Sequence, residues 1–422
     1  MCVSIRDGSR VSASPATKPS PISALLAELG AFNEFGATTI VSKSEHAGLQ
    51  VPVFVNEFWT SKQRAAHSLH EISYRACFKP QLPRFFIERL TDEGDLILDP
   101  FMGRGTTVLE SVLLNRRGTA IDVNPLSGML LRARVSPPTL AEVEARLDEL
   151  DLSRPGEQPS DLLVFYDPDT LREISALRRY LEEKGSEADV VDHWIRMTAT
   201  NRLTGHSPGF FSVYTMPPNQ AVTTDRQKMI NEKRGQKPVY RDVRRIILKK
   251  SKSLLKDVTD ENRTSFGKWG DGTELAIGSA DDLSYLADET VSLVVTSPPF
   301  LDVVQYATDN WLRCWFNGID AGSIPIWSFR KVEDWQKAMT GVFRELKRVL
   351  KTGGHVAFEV GEVKGGKVKL EDHVIPAGQT AGLKPELVLI NAQEFTKTAN
   401  CWGVDNQTKG TNTNRIVLFR KE

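Results

Sequence analysis

The sequence predicts an α/β fold in which a mainly parallel sheet is interrupted by a long insertion. Two short apolar runs end in an acidic residue, at Asp99 and Asp122, and a third ends at Thr296. Buried parallel strands have this form when they reach the ligand-binding edge of a sheet. Segments with helical periodicity lie between the runs. From about residue 136 to residue 269, blocks of charge replace the strand pattern.

The composition is that of an ordinary globular protein with room for a large core. The chain has 422 residues, of which 40% are hydrophobic, and its 54 Lys and Arg balance its 54 Asp and Glu. This balance excludes a uniformly basic nucleic-acid coat protein and an acidic tail protein. We divide the chain into an N-terminal arm with an accessory segment (1–65), the first part of the core (66–135), the insertion (136–269) and the second part of the core (270–422).

The first part of the core has the order helix, strand, turn, helix, strand. FKPQLPRFFIERL and TTVLESVLLN predict the helices, and LILD and TAID predict the buried strands. The strands end at Asp99 and Asp122, which lie 23 positions apart. An acidic residue at this distance is typical of a nucleotide-binding βαβ unit.

The second part of the core supplies four further strands and one long helix. The segments ELAIGSADD, VSLVVTSPPF, HVAFEVGEV and NRIVLFRK predict the strands, and WQKAMTGVFRELKRVL predicts the helix. In the N-terminal segment, ISALLAELGAF predicts a short amphipathic helix. The Ser- and Pro-rich residues before it predict a loose arm.

The segment LDPFMGRGTT, Leu98 to Thr107, is the first candidate binding motif. Gly103 and Gly105 allow a tight turn at the carboxyl end of a strand, where ligands bind in open α/β sheets. The spacing G-x-G-T-T suits a dinucleotide pyrophosphate less well than G-x-G-x-x-G, and a plain tight turn is the alternative. Asp99 and Asp122 favour a cationic nucleoside that carries an amino acid, with Asp122 accepting from the ribose hydroxyls.

The segment TSPPF, Thr296 to Phe300, is the second candidate motif. Two consecutive prolines cannot extend a central strand, so the backbone leaves the sheet there in a stiff shape. Ser297 and the Pro298 carbonyl are acceptors for a planar amine, and Phe300 is a stacking surface for its ring. A simple strand-ending turn is the alternative.

The segments DPFMGRGTT, IDVNP and TSPPF together resemble the DNA amino-methyltransferase family that uses S-adenosylmethionine. The resemblance implies a Rossmann-like methyltransferase sheet with an inserted target-recognition region. Residues 66–135 would then form the cofactor-binding part of the core, and residues 270–422 the catalytic part. Ser in the first position of the Pro-Pro motif resembles the cytosine-N4 branch, whereas the adenine-N6 branch more often has Asp or Asn. The order of the two motifs differs from the commoner layout of cytosine-N4 enzymes.

The resemblance also assigns residues to roles. His67 to Leu90 is similar to the segment that packs beside the cofactor, and Asp281 falls where the family contacts the adenine ring. The expected cofactor-binding residues are Phe78, Asp99, Pro100, Phe101, Gly103, Gly105, Thr106, Thr107, Asp122, Asn124 and Asp281. The expected catalytic residues are Ser297, Pro298, Pro299 and Phe300.

The expected reaction is direct methyl transfer to an exocyclic amino group. An aromatic amine is a weak nucleophile, and acceptors at Ser297 and Pro298 would orient its lone pair toward the methyl group. The target base must leave the duplex to reach the site. Methylation of cytosine carbon 5 needs a cysteine nucleophile presented after a proline, and none of the four cysteines follows a proline.

Charge is segregated within the insertion. Thr139 to Asp192 contains fifteen Asp and Glu and six Lys and Arg, whereas Arg226 to Lys256 contains two and twelve. The basic block predicts contacts to the phosphates of double-stranded DNA, and a solvated basic helix face is the alternative. The expected DNA-binding residues are Arg226, Lys228, Lys233, Arg234, Lys237, Arg241, Arg244 and Arg245.

The remaining features predict a cytoplasmic protein without a metal site. The four cysteines are far apart, and no apolar run is long enough to span a membrane. His67 and His70 lie three apart without further ligands, so packing beside the cofactor is favoured over metal binding. A restriction endonuclease is a further candidate partner. Adenine-N6 methylation, methylation of RNA or protein, and a catalytically inactive nucleic-acid-binding subunit remain alternatives.

Overall fold

The fold is known from a computed structural model that describes residues 21–46, 48–60, 66–74, 77–216, 221–299, 306–363, 368–392 and 413–422. The predicted helices and strands of the core are found, with bounds that differ by a few residues. The elements before the insertion are α1 (Pro21–Ala31), β1 (Ile40–His46), β2 (Leu49–Asn56), α2 (Gln81–Leu90), β3 (Leu96–Asp99), α3 (Thr106–Leu113), β4 (Arg117–Asp122) and α4 (Pro125–Val135).

The insertion is helical in the described residues, and the strands resume after it. Its helices are α5 (Leu140–Glu149), α6 (Pro168–Lys184), α7 (Val190–Thr200), α8 (Thr224–Arg234), α9 (Val243–Leu254) and α10 (Asp260–Ser265). The elements that follow are β5 (Glu274–Ile277), β6 (Val291–Thr296), α11 (Tyr306–Phe316), α12 (Val332–Val349), β7 (Leu350–Val360), β8 (Glu362–Val363), β9 (Val368–Lys369), α13 (Glu371–Thr380), β10 (Lys384–Ala392) and β11 (Thr413–Arg420).

The main sheet has nine strands in the order β1-β2-β10-β11-β7-β6-β3-β4-β5. Strands β5, β4, β3, β6 and β7 are parallel, whereas β11 is antiparallel to both of its neighbours. The chain order reverses between β3 and β6, and ligands bind at such a switch point, beyond the carboxyl ends of the strands. The predicted Rossmann-like α/β fold is confirmed.

The N-terminal segment contributes a hairpin to this sheet, a feature that we did not predict. Strand β2 pairs in parallel with β10 and antiparallel with β1. Asn391 of β10 is fully buried, and its side-chain oxygen accepts from the N–H groups of Phe58 and Trp59 at 2.7 and 3.2 Å. The chain that follows β2 is therefore fixed against the sheet. The domain boundaries proposed from the sequence stay predictions.

Helices cover both faces of the sheet and form its cores. Helices α12 and α13 pack on one face with Val294 and Phe358, and α1 and α2 pack on the other with Ile97 and Leu293. A third cluster joins α3 and α4 to helices of the insertion, including the fully buried Trp194 of α7. No helix in the described ranges is long and apolar enough to cross a membrane.

Candidate active site

The glycine-rich turn after β3 lies at the centre of the candidate site. Gly103 has φ +51° and Gly105 has φ +76°, a left-handed conformation that residues with a Cβ rarely adopt. A Cβ at Gly105 would lie 2.5 Å from the side chain of Leu131, so this glycine also permits the close packing of α3 on α4. The N–H of Gly103 donates to the Asp122 carboxylate at 2.8 Å. The turn therefore connects the ends of β3 and β4.

Asp122 supplies the acidic group of the pocket. Its carboxylate accepts from the backbone N–H groups of Gly103 and Asn124, at 2.8 and 2.9 Å. Burial raises the pKa of this carboxyl above its ordinary value despite these two donors. Because each carboxylate oxygen has two acceptor positions, Asp122 can also accept from the hydroxyls of a ligand.

Asp99 connects the two motifs from behind the pocket. It is 1% exposed and accepts from the Thr296 hydroxyl at 2.6 Å and from the Phe101 N–H at 3.2 Å. Burial raises its pKa to about 7, an effect larger than the opposite effect of these hydrogen bonds. The hydroxyl of Thr107 donates to the Val295 carbonyl at 2.9 Å. Both side chains thus fix the first motif to β6, and neither is among the described residues that line the pocket.

Ser297 follows β6 directly and lines the pocket. Its hydroxyl forms a hydrogen bond with Glu359 of β7. Glu359 is 8% exposed and also accepts from the Asn414 amide of β11. Burial raises the pKa of Glu359 to about 7, although both hydrogen bonds act to lower it. A titratable carboxyl therefore lies directly behind the serine of the second motif.

A single pocket contains residues of both predicted motifs. Its lining includes the predicted cofactor residues Phe78, Pro100, Phe101, Gly103, Thr106, Asp122 and Asn124, and the predicted catalytic residues Ser297 and Pro299. The pocket lies at the carboxyl ends of the parallel strands because the turns that follow β3, β4, β5 and β6 all contribute to it. The two motifs, which are separated by the whole insertion in sequence, thus meet in space.

The other predicted site residues lie outside the pocket lining. Gly105 precedes α3, and Pro298 is buried behind the loop. Asp281 is exposed, whereas the preceding residues Gly278 to Ala280 line the pocket. The contact of Asp281 with a cofactor stays a prediction. Phe300 lies outside the described residues.

One wall of the pocket was missed from the sequence. Pro325, Ile326 and Trp327 line it, and the Trp327 ring packs edge-on against Phe101 with centroids 6.1 Å apart. No periodicity or motif singled out this segment. Glu359 was also missed, although a lone acidic residue in the apolar run HVAFEV was an available signal.

The two histidines upstream of the pocket have structural contacts. His70 Nε2 lies 2.7 Å from the Glu110 carboxylate, and both side chains are 1% exposed. Burial lowers the pKa of His70 to about 4. The ring of His67 accepts from the Leu69 N–H at 3.2 Å. Across the described ranges, no group of three or more His, Cys, Asp or Glu is arranged to hold a metal ion.

The predicted DNA-binding residues differ in how available they are. Those with exposed side chains are Arg226, Lys228, Lys233, Arg234, Lys237 and Arg245. Arg241 and Arg244 are partly buried, and the Arg244 guanidinium donates to the carbonyls of Leu147 and Leu150 at the end of α5. Arg244 therefore stabilises the packing of α9 on α5. Binding of DNA by all eight residues stays a prediction.

Comparison with known proteins finds one family model that matches part of the chain. The family model of DNA methylases, the N6/N4 methyltransferases, matches residues 40–126, which include β1 to β4 and the glycine motif. Over these residues the chain resembles the family. The match begins at the hairpin that extends the sheet and ends just after the buried Asn124.

Several type II methyltransferases are similar to parts of this chain. M.MjaII of Methanocaldococcus jannaschii is 34% identical over 77 residues, which are 18% of this chain and 14% of that protein. M.MvaI of Kocuria varians is 31% identical over 97 residues, 22% of this chain and 21% of that protein. M.BsoBI of Geobacillus stearothermophilus is 22% identical over 68% of this chain and 60% of that protein. The chain thus spans less than two thirds of the length of each of these relatives.

Solved structures with a similar fold are more distant. TrmN of Thermus thermophilus is 9% identical, with a TM-score of 0.33 over 84% of this chain and 52% of that protein. The geranyl diphosphate C-methyltransferase of Streptomyces coelicolor is 8% identical, with a TM-score of 0.34 over 82% of this chain and 76% of that protein.

Proposed function

We propose that this protein transfers a methyl group from S-adenosylmethionine to the exocyclic N4 amino group of cytosine in duplex DNA. The observation that carries the proposal is the meeting of Gly103, Asp122 and Ser297 in one pocket at the switch point of the sheet. The match of residues 40–126 to the DNA methylase family model supports the reaction class. The serine before the two prolines favours cytosine over adenine.

The pocket fits the proposed cofactor in shape and charge. The carboxylate of Asp122 matches the ribose hydroxyls, and the backbone at Gly103 leaves room for close approach. The rings of Tyr74, Phe78 and Phe101 provide the π surfaces that attract a sulfonium cation and pack against a planar base. Bound S-adenosylmethionine would supply an electrophilic methyl group within this lining.

The contacts of Ser297 suit it to orient the target amine. At a pH above about 7, Glu359 is ionised, and its carboxylate accepts a hydrogen bond from the Ser297 hydroxyl. The lone pairs of the hydroxyl oxygen are then free to accept an N–H of the amine, together with the Pro298 carbonyl. Methyl transfer to the amine held there would form the N–C bond as the S–C bond of the cofactor breaks, which would leave S-adenosylhomocysteine and a cationic nitrogen. Glu359 accepts the released proton through the Ser297 hydroxyl, which returns the amine to neutrality.

The helical insertion supports a DNA substrate through its position and its charge. The N–H of Ala221 donates to the Asp309 carbonyl at 3.0 Å, and the Trp311 indole donates to the Val222 carbonyl at 3.2 Å. These bonds attach the segment before α8 to α11, the helix that follows the second motif. The exposed cations of α8 therefore follow directly on a segment that is bonded to α11, and they are available to the phosphates of a duplex whose target base is flipped out.

The product of the reaction tests this proposal. We expect that incubation with labelled S-adenosylmethionine and unmethylated duplex DNA, followed by digestion to nucleosides, gives N4-methylcytosine. N6-methyladenine in its place would overturn the choice of base, and label only in RNA or protein would overturn the DNA substrate. Absence of cofactor binding by calorimetry would overturn the enzyme assignment in favour of an inactive binding subunit. A restriction endonuclease encoded beside this protein would be its expected partner.

Replacement of the serine tests the assigned role. Ser297→Ala should lower kcat by about a hundredfold with little change in cofactor affinity, because one preorganised hydrogen-bond partner is lost. Ser253→Ala is a matched control, since the hydroxyl of Ser253, a residue of the insertion, also bonds a carboxylate, that of Glu71 at 3.4 Å. An equal loss of activity in both variants would contradict the role of Ser297.

A further inference from the structure

Trp335 makes a contact with the catalytic loop that neither the motifs nor the proposed mechanism uses. It lies in the first turn of α12 and is fully buried. Its indole Nε1–H donates to the backbone carbonyl of Pro299 at 2.9 Å. Pro299 itself lines the pocket beside Ser297. A rigid side chain of the core thus holds the backbone of the loop from behind.

The backbone torsions of the loop show why this one bond is important. A proline ring fixes its own φ near −65°, which restricts Pro298 and Pro299. A residue that precedes a proline is confined to extended conformations, which restricts ψ of Ser297 and of Pro298. The ψ angle of Pro299 is the torsion that these rules leave free. This angle sets the direction of the Pro299 carbonyl, which is the group that Trp335 binds.

The surroundings of Trp335 allow it to act as a fixed reference point. The indole packs in the same cluster as Leu98 of β3 and Val294 of β6, the strands from which both motifs extend. Its backbone N–H is also bonded to the Lys331 carbonyl at the start of α12. Movement of the indole would therefore disturb the packing between α12 and the centre of the sheet.

We infer that Trp335 is a positioning residue for methyl transfer: its indole N–H anchors the Pro299 carbonyl, and with it the stiff segment from Ser297 to Pro299, so that the acceptors at Ser297 and Pro298 stay in line with the target amine. This inference rests on the proposed function. Without the bond the segment is held only where it leaves β6 and the Pro299 carbonyl is free to turn, so only part of the population is ready to react. The turnover number should then fall, whereas binding of the cofactor at Asp122 and Gly103 should not.

The substitution Trp335→Phe tests the inference because it keeps an aromatic ring and removes the N–H. Trp194→Phe is a matched control. Trp194 is also fully buried, and its Nε1–H donates to the Ser251 hydroxyl at 2.9 Å, but it lies in the insertion. Both variants lose one buried indole hydrogen bond, so their melting temperatures should fall by similar amounts. Only Trp335→Phe should lower kcat on unmethylated duplex DNA, by about five- to tenfold, the effect of one hydrogen bond. The Kd for S-adenosylmethionine should change less than twofold in both variants.

A second measurement, hydrogen exchange, tests whether Trp335 restrains the loop and does not depend on catalysis. Hydrogen exchange of the peptide that spans residues 296 to 306 should accelerate about fivefold in Trp335→Phe and remain unchanged in Trp194→Phe. Equal kcat in the two variants, or a loss that appears only in cofactor affinity, would overturn the positioning role. If the wild-type protein transfers no methyl group, the proposed function fails. In that case, unchanged hydrogen exchange in Trp335→Phe would show that Trp335 does not restrain the loop. Faster exchange would show that it restrains the loop, although the restraint would not serve methyl transfer.

Discussion

At the scale of single residues, the contact between Ser297 and Glu359 links the chemistry of the site to pH. The Glu359 carboxyl is buried on β7 and has its pKa raised to about 7. In its protonated form this carboxyl could not accept the proton that the amine would release in the proposed reaction. In its ionised form the carboxylate accepts a hydrogen bond from the Ser297 hydroxyl, but its negative charge is then buried, which costs free energy. Ionisation of Glu359 should therefore favour the proposed methyl transfer and lower the stability of the folded protein.

Glu359→Gln tests this link through the pH dependence of activity. For the wild-type protein, kcat should rise with a midpoint near pH 7 as Glu359 ionises. The variant should lose this rise and keep about 1% of the activity or less, because its amide cannot accept a proton. Any rise that remains would belong to Asp99, whose pKa also lies at about 7. A pH profile unchanged from that of the wild type would contradict the role of Glu359.

The stability of the wild-type protein should fall as pH rises, in contrast to its activity, and Glu359→Gln should weaken this fall. The folded pKa of Glu359 lies above the value of 4.5 that is ordinary for Glu, so the folded state binds this proton more tightly. The free energy of unfolding that this group contributes is present below pH 4.5 and is lost as pH rises through about 7. Urea denaturation should therefore show a smaller loss of stability between pH 5 and pH 8 in Glu359→Gln than in the wild-type protein.

At the scale of secondary-structure elements, the close approach of α3 and α4 depends on Gly105. The left-handed conformation at Gly105 begins α3, and a Cβ there would collide with Leu131 of α4. The turn between β3 and α3 also carries Gly103, which bonds Asp122. Packing of two helices and the shape of the cofactor pocket are thus fixed by the same turn.

Gly105→Ala should destabilise the protein by about 2–4 kcal/mol, since the left-handed conformation and the overpacking both cost free energy. Gly235→Ala is the control, because Gly235 has φ +58° at the end of α8 but no atom within 4 Å of a Cβ. It should cost about 1 kcal/mol. Denaturant melts would measure both values, and equal losses would show that Leu131 moves aside without cost.

At the scale of the whole molecule, the equal numbers of acidic and basic residues conceal a separation of charge. The basic block forms α8 and α9, whose exposed Lys and Arg side chains lie on the insertion, whereas the acidic block forms α5 to α7. Two hydrogen bonds attach the segment before α8 to α11, the helix that follows the second motif in sequence. A neutral protein can therefore present one cationic face to DNA.

The triple substitution of Arg226, Lys228 and Lys233 by Gln tests this face. The slope of log K against log salt for duplex DNA should become less steep by about 2–3, since each phosphate contact contributes about 0.9. The same changes at the exposed Lys43, Arg154 and Lys268, which lie outside the basic block, form the control and should leave the slope unchanged. Equal slopes for the two triple variants would favour a solvated helix face over a DNA-binding surface.

Strands β3 to β7, strand β11 and the two motifs could be predicted from the sequence alone, whereas strand β10 was missed. These features are local: an apolar run, a glycine turn or a Pro-Pro pair fixes the backbone within a few residues of itself. Three contacts are seen only in the tertiary structure. Glu359 lies behind Ser297, the Trp335 indole donates to the Pro299 carbonyl, and the β1–β2 hairpin extends the sheet beside β10. Each of these contacts depends on strand order and helix packing, because it joins residues that no spacing along the chain relates.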